Sequence, residues 1–290
     1  MTDPIKNELG QIIPLHYHFQ MLSDKSRMHA FKEAIADCVN PLDQVVDLGC
    51  GTGIMSFLAA KQGAYVSSVE MNPDMALYAE GLIKENGVSD RVKIHIADAM
   101  EWKPSKKVDV VICEMLHSAL LREKQVEVIT RFREQYSEHY SNMPLFIPSA
   151  TLLAVEAVWQ SFDFEGYYAP VPLFQDPYKA VDNLKSYSDP MVYKVIHYEE
   201  ATLAPVVGDL SFVVKNNGTI NALRFITKNV LSMNTDTGKT TDWHNQYLVL
   251  PLKEEVHVMV GEKVTIKFAY ELGDSIESLM ESMIVAVKED

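Results

Sequence analysis

The sequence predicts an α/β domain followed by a β-rich one, and three observations predict it. From about residue 41 to Pro148, apolar runs of strand length alternate with amphipathic helical stretches, the rhythm of a parallel sheet covered by helices. Beyond Pro148 the runs become short and alternating, as antiparallel strands are. The first strand also runs through a glycine-rich turn straight into a helix, and its carboxyl end is where such sheets open a ligand crevice. With 290 residues, 47% hydrophobic and 23% charged, the chain is long enough for one large domain or, more naturally, two modest ones sharing an interface, and a substantial core is expected.

Taken in order, residues 1–40 read as a helical N-terminal segment whose main helix spans residues 24–39. Asp24 can cap it, Met28, Phe31, Ile35 and Cys38 fall on one face, and Pro41 stops it. The proposed parallel strands are Gln44 to Leu48, Tyr65 to Glu70, Val92 to Ala97 and Val108 to Cys113. Pro144 to Pro148 mark the boundary, giving a ligand-binding domain at 41–147 and a β-rich domain at 148–290. In the latter, Thr151 to Trp159 and Leu210 to Lys215 read as strands. Asn216-Asn217-Gly218 and Gly261-Glu262 read as hairpin turns, the second joining Val256 to Val260 with Lys263 to Tyr270, because their residues tolerate positive φ. Residues 162–190, rich in Pro, Tyr and Asp without a clear period, read as a long loop or a protruding element.

A formal net charge of −14 with no local Lys/Arg cluster argues against a nucleic-acid partner and favours a cationic substrate. No run of eighteen or more apolar residues is present. The first eight residues lack the charged-then-apolar pattern of a secretory signal, so a cytoplasmic protein without a membrane partner is expected. Cys38, Cys50 and Cys113 are an odd number, form no C-x-x-C pair, and read as reduced apolar packers; no metal-ligand pattern is present.

The string Val45-Val46-Asp47-Leu48-Gly49-Cys50-Gly51-Thr52-Gly53 leads into Ile54-Met55-Ser56-Phe57. Glycine lets the chain turn sharply and lets a ligand approach the backbone. A dinucleotide fingerprint would be G-x-G-x-x-G, but Ile54 stands where its last glycine belongs. The observed D-x-G-x-G-x-G instead resembles the first motif of the class I methyltransferases. That resemblance implies S-adenosylmethionine as cofactor and a Rossmann-like parallel-sheet domain, with Asp47, Gly49, Cys50, Gly51 and Gly53 at the cofactor. Glu70 ends the next strand, where a carboxylate can accept hydrogen bonds from both ribose hydroxyls, with Met71 beside it. Asp98 and Ala99, followed by Met100, stand where this fold touches adenine.

The fourth strand runs into Glu114-Met115-Leu116-His117-Ser118-Ala119-Leu120-Leu121-Arg122-Glu123. Two nearby carboxylates resist ionising unless a cation joins them, and a planar, permanently charged guanidinium meets that demand. Here the sequence resembles the protein arginine methyltransferases, whose double-E loop has two glutamates at this separation. The resemblance extends over most of the chain. His18-Phe19-Gln20-Met21-Leu22-Ser23-Asp24-Lys25-Ser26-Arg27 is similar to the family's H-x-x-M-L-x-D-x-x-R motif, and Thr241-Asp242-Trp243-His244 to its T-H-W loop. It implies a barrel-like β substrate domain, His18 and Arg27 at the methionine carboxylate, Met21 near the sulfonium and target nitrogen, Glu114 and Glu123 as the catalytic pair, and Trp243 bordering the acceptor. It also implies that residues 162–190 form a short dimerisation arm and that the chain is a homodimer.

Two departures are visible: Asp242 replaces the family's histidine, and His117-Ser118 its glycine-tyrosine. They leave open whether the acceptor is an arginine in a protein or peptide, a free guanidine compound, or another small nitrogen or oxygen nucleophile. A binding scaffold without catalysis is the reading from a different class.

Overall fold

A computed structural model describes residues 13–233 and 237–288. The reading of the first eight residues, and the part of the N-terminal segment before Ile13, lie outside the described residues. Helix α1 (Leu15–Ser23) meets α2 (Lys25–Cys38) at Asp24, whose carboxylate accepts from the Arg27 amide at 2.9 Å as an N-cap. The buried face of α2 carries Ala30, Phe31, Ala34 and Ile35.

The α/β half then follows in strict alternation: β1 (Gln44–Leu48), α3 (Ile54–Lys61), β2 (Tyr65–Glu70), α4 (Pro73–Glu85), β3 (Val92–Ile96), β4 (Val110–Cys113), α5 (Gln125–Ser137) and β5 (Leu145–Ile147). These strands form one parallel sheet in the order β3-β2-β1-β4-β5. The order reverses between β1 and β4, so their carboxyl ends diverge and open a crevice at the switch point. The expected strands are present, β3 one residue and β4 two residues shorter than the apolar runs suggested.

From Ala150 the chain is mostly antiparallel. β6 (Ala150–Gln160) is followed by the short β7 (Asp163–Phe164), β8 (Tyr167–Tyr168), β9 (Leu173–Gln175) and β10 (Leu184–Ser186). The rest is β11 (Met191–His197), β12 (Val206–Val213), β13 (Gly218–Met233), β14 (Thr240–His244), β15 (Tyr247–Val258), β16 (Lys263–Tyr270), α6 (Ile276–Ser282) and β17 (Ile284–Val287). One sheet runs β10-β6-β13-β15-β9, with β11 on β6 and β14 on β13; a second runs β12-β16-β17. Their inner faces share one apolar core, with Val155, Leu223, Phe225 and Leu248 meeting Val264, Ile266 and Phe268. Phe268 stands edge-on to Phe225 and Tyr193 at centroid distances of 5.2 and 4.9 Å, an arrangement aromatic rings favour.

Two expectations are corrected. Neither Asn216-Asn217-Gly218 nor Gly261-Glu262 joins a hairpin, because β12 pairs with β16 while β13 and β15 lie in the other sheet. Each turn hands the chain from one sheet to the other, and the two turns bond each other: Val214 N–H donates to Glu262 at 2.9 Å and Gly261 N–H to Val214 at 3.0 Å. Turn residues mark where a chain can reverse; the shared core decides which strand it meets next. Residues 162–190 are neither a bare loop nor wholly protruding. Their β9 and β10 complete the two edges of the larger sheet, and only the β7–β8 hairpin stands out, exposing Phe164, Tyr167 and Tyr168.

Among the described residues no helix is long and apolar enough to cross a membrane, and no three His, Cys, Asp or Glu side chains group as a metal site. Cys50 and Cys113 are buried and Cys38 partly so, all unpaired.

Candidate active site

The crevice at the carboxyl ends of β1 and β4 is a cleft of about 230 Å³, and the sequence-predicted residues converge on it. His18, Met21, Arg27, Asp47, Gly49, Cys50, Gly51, Glu70, Met71, Asp98, Ala99, Glu114 and Glu123 all line it. Two expected residues do not. Gly53, at φ +81°, is the N-cap of α3 and faces Ile83. Trp243 is 6% exposed and packs against Phe31 of α2 at 6.2 Å, so it joins β14 to the helix below.

The glycine turn is pinned from below. Gly49 and Cys50 amides both donate to the Val69 carbonyl at 3.0 Å, and the Glu70 carboxylate accepts from Gly51 at 3.0 Å and Asn72 at 2.9 Å. Glycine is required at Gly51, where φ is +52° and an added Cβ would lie 2.8 Å from the His18 ring held over the turn by α1. Gly51→Ala is therefore expected to weaken S-adenosylhomocysteine binding by at least about tenfold in isothermal titration, with the fold retained.

Beneath the turn, Asp47 accepts from Ser56 Oγ at 2.5 Å, and Ser56 is 2.6 Å from Ser68 Oγ. Complete burial pushes the Asp47 carboxyl up to about 7, against the Ser56 hydrogen bonds that pull it down. Across the cleft the Asp98 carboxylate accepts from the Met100 amide at 2.9 Å, shaping the loop after β3. Met21, Met55, Met71, Met75, Met100 and Met115 supply an adaptable, polarisable lining. These groups fit a sulfonium nucleoside: glycines leave the backbone approachable, Glu70 is placed as a diol acceptor, and the methionine wall suits a purine face.

At the mouth, Arg27 grips Glu114 through two nitrogens, Nε to Oε1 at 3.2 Å and Nη2 to Oε2, while Nη1 donates to the Met21 carbonyl at 3.1 Å. Burial works against the Arg27 charge, but the Glu114 carboxylate overrides it and holds the guanidinium pKa above its ordinary value. Glu123 lies on the same cleft, and burial, then repulsion from Glu114, raises its carboxyl to about 8. Burial lowers the pKa of His18 and brings that of His117 down to about 4.

The loop between the glutamates is bent by force. Ala119, Leu120 and Arg122 have φ of +56°, +53° and +63°, a region that non-glycine residues avoid. The β-rich half holds it there. Tyr270 Oη donates to the Ala119 carbonyl at 2.9 Å, Ala119 N–H to Thr227 Oγ1 at 2.7 Å, and Arg122 N–H to Asp274 at 2.8 Å. Asn245 donates to the Leu116 carbonyl at 3.0 Å, and Ser118 Oγ to that of Gln246 at 2.6 Å. Gln125, buried at the start of α5, staples the loop's base by accepting from Met115 and donating to Cys113. The sequence reading missed Gln125 and Arg122. A glutamine two residues past the second glutamate carries no signal by itself, whereas Arg122 was visible as a cation inside an acidic motif. Of the two departures, His117 packs edge-on to Phe174 and Asp242 pairs with Lys228 at 2.7 Å; neither lines the cleft.

Residues 45–137 match the model of a methyltransferase domain. An uncharacterised protein of Methanothermobacter thermautotrophicus is 31% identical over 272 residues, 92% of this chain and 97% of that one. Protein arginine N-methyltransferase 2 of Xenopus tropicalis is 36% identical over 142 residues, 47% of this chain and 33% of the relative. The chain is a divergent protein arginine methyltransferase-like class I methyltransferase. Its cofactor is S-adenosylmethionine. The methyltransferase also shares its whole fold with a Trypanosoma brucei protein arginine methyltransferase solved as an enzyme–prozyme heterotetramer with S-adenosylhomocysteine. That likeness has a TM-score of 0.71 and 17% identity over 93% of this chain and 96% of that one.

Proposed function

We propose that this methyltransferase transfers a methyl group to a guanidinium nitrogen. The observation that carries the reading is that Glu114 and Glu123 line the cleft formed by the glycine turn, with Glu123 free of any ion pair within 4.0 Å among the described residues. Arg27, which bonds Glu114 through two nitrogens, supports the reading that a carboxylate at this place accepts a guanidinium.

S-adenosylmethionine, when bound, supplies an electrophilic methyl on a sulfonium sulfur. Glu70 would hold its ribose, His18 and Arg27 its methionine carboxylate, and the Asp98–Met100 turn its adenine. Met21 would lie beside the reacting atoms. Glu114 and Glu123 would orient the acceptor's planar group so that one nitrogen's lone pair faces the methyl, and offset the charge of two cationic reactants. An ionised Glu123 can accept the proton that the methylated nitrogen releases. Incubation with methyl-labelled cofactor and guanidine acceptors, free and in peptides, is expected to place label on a guanidino nitrogen; label on no guanidine overturns the reading.

A homodimer goes with this proposal. The β7–β8 hairpin presents Phe164, Tyr167 and Tyr168 to solvent, an aromatic surface of the kind that another copy would cover. Light scattering is expected to give twice the 32.7 kDa chain mass, and Tyr167→Ser with Tyr168→Ser to shift it towards one; a wild-type monomer rules the dimer out.

A further inference from the structure

The glutamate loop carries a charge that a purely cation-seeking pocket would not want. Arg122 lines the same cleft as Glu114 and Glu123, close enough for its guanidinium to act on Glu123 and His117. Together with Arg27, two arginines line the cleft with the two glutamates, while Lys124, which also lines it, is paired with Glu127 at 3.3 Å. The arginines and glutamates do not pair off evenly. Arg27 and Glu114 satisfy each other, and among the described residues neither Arg122 nor Glu123 has a side-chain hydrogen bond or an ion pair within 4.0 Å. One arginine and one glutamate, neighbours in sequence, thus line the cleft without a side-chain partner among the described residues.

The backbone is held against its preference to put them there. Arg122 has φ +63°, and its amide is tied to the Asp274 carbonyl at 2.8 Å, so the β-rich half fixes the conformation. Strain imposed by neighbours at a ligand cleft points to a side chain that must meet a ligand. His117, kept neutral by burial, adds no charge to the balance.

Resting on the guanidinium reading above, we propose that the acceptor is a small guanidino carboxylic acid, such as free arginine, with its guanidinium on Glu123 and its carboxylate on Arg122. Arginine binds carboxylates through two parallel hydrogen bonds, which adds orientation to affinity. Arg122 and Glu123 line one cleft and the Arg122 charge acts on the Glu123 carboxyl, so a single small molecule carrying both charges can meet the two side chains. An arginine within a peptide brings the cation but no carboxylate of its own. In the reaction, the acceptor nitrogen's lone pair forms the N–CH3 bond as the S–CH3 bond breaks. The departing pair stays on sulfur as a neutral thioether, and the nitrogen's proton leaves through Glu123 to water.

The test uses the full chain, methyl-labelled S-adenosylmethionine, and three probes: L-arginine, agmatine, which keeps the guanidinium and lacks the carboxylate, and an arginine-containing peptide. The expected kcat/KM for L-arginine exceeds that for agmatine by at least about tenfold, the scale of one lost charge-assisted contact. Arg122→Gln is expected to reduce that preference to near unity while leaving the Kd for S-adenosylhomocysteine within about twofold, and Arg122→Lys to restore part of it. Equal rates with arginine and agmatine overturn the proposal. So does a loss of S-adenosylhomocysteine affinity in Arg122→Gln, which assigns Arg122 to the cofactor's carboxylate. Labelled peptide beside unlabelled arginine overturns it but leaves the guanidinium reading standing; label on none of the three overturns both.

Discussion

Glu123→Gln is expected to lower kcat/KM for a guanidine acceptor about 10³-fold, the scale of removing one preorganised electrostatic group or general base from a shielded site. The substitution keeps shape and hydrogen-bonding capacity but removes the charge that offsets the acceptor and can take its proton. It should also change the pH profile. Because the Glu123 carboxyl lies at about 8 in the free enzyme, it is protonated and uncharged below that pH and ionised above it. The wild-type kcat/KM is therefore expected to rise with pH and level off above an apparent pKa near 8, and Glu123→Gln to lose that rising limb. Steady-state rates from pH 6 to 10 check both. A profile already flat at pH 6 contradicts the assignment of Glu123 as the group that must ionise.

Arg27→Met is expected to destabilise the fold by about 3–5 kcal/mol, the penalty of leaving one member of a buried ion pair without its partner. Side-chain exposures of 6% for Arg27 and 12% for Glu114 place the pair in that class rather than among surface bridges. For a chain of this size the melting temperature should fall by on the order of 10 °C. Arg27→Met with Glu114→Gln should recover much of that loss, because no buried charge is then orphaned. Arg27 also donates to the Met21 carbonyl, tying α1 down over the glycine turn, so Arg27→Met is expected to weaken S-adenosylhomocysteine binding as well. Thermal melts of the two single variants and the double variant form the cycle that checks this. A single variant within 1 °C of wild type shows that the pair contributes nothing to stability.

Much of the parallel half was legible because its signals are local. Asp24 followed by Met28, Phe31 and Ile35 at helical spacing marks α2 to within one residue at each end, and the apolar runs mark four strands of its sheet. The place of the glycine turn was legible for the same reason, since a turn at the end of β1 opens onto the crevice. The β-rich half was less so. Asn216-Asn217-Gly218 and Gly261-Glu262 were read correctly as reversals and wrongly as hairpins, because pairing there is decided by a core assembled from distant strands.

Trp243 shows the same limit at the site. Its place beside the cleft was inferred from a motif, yet a large apolar side chain on β14 is drawn onto Phe31 by burial, and no local pattern records that contact. Arg122 is the reverse case. A charged residue next to a glutamate reads as solvated surface until the left-handed backbone, fixed from Asp274, turns it into the cleft.

The crystal structure of the enzyme with S-adenosylhomocysteine and L-arginine tests the account most directly. The guanidinium of the bound arginine should lie within hydrogen-bonding distance, about 3 Å, of the Glu123 carboxylate, with one nitrogen facing the sulfur. Arginine bound elsewhere, or Glu123 turned away from the cleft with the cofactor product in place, would contradict it.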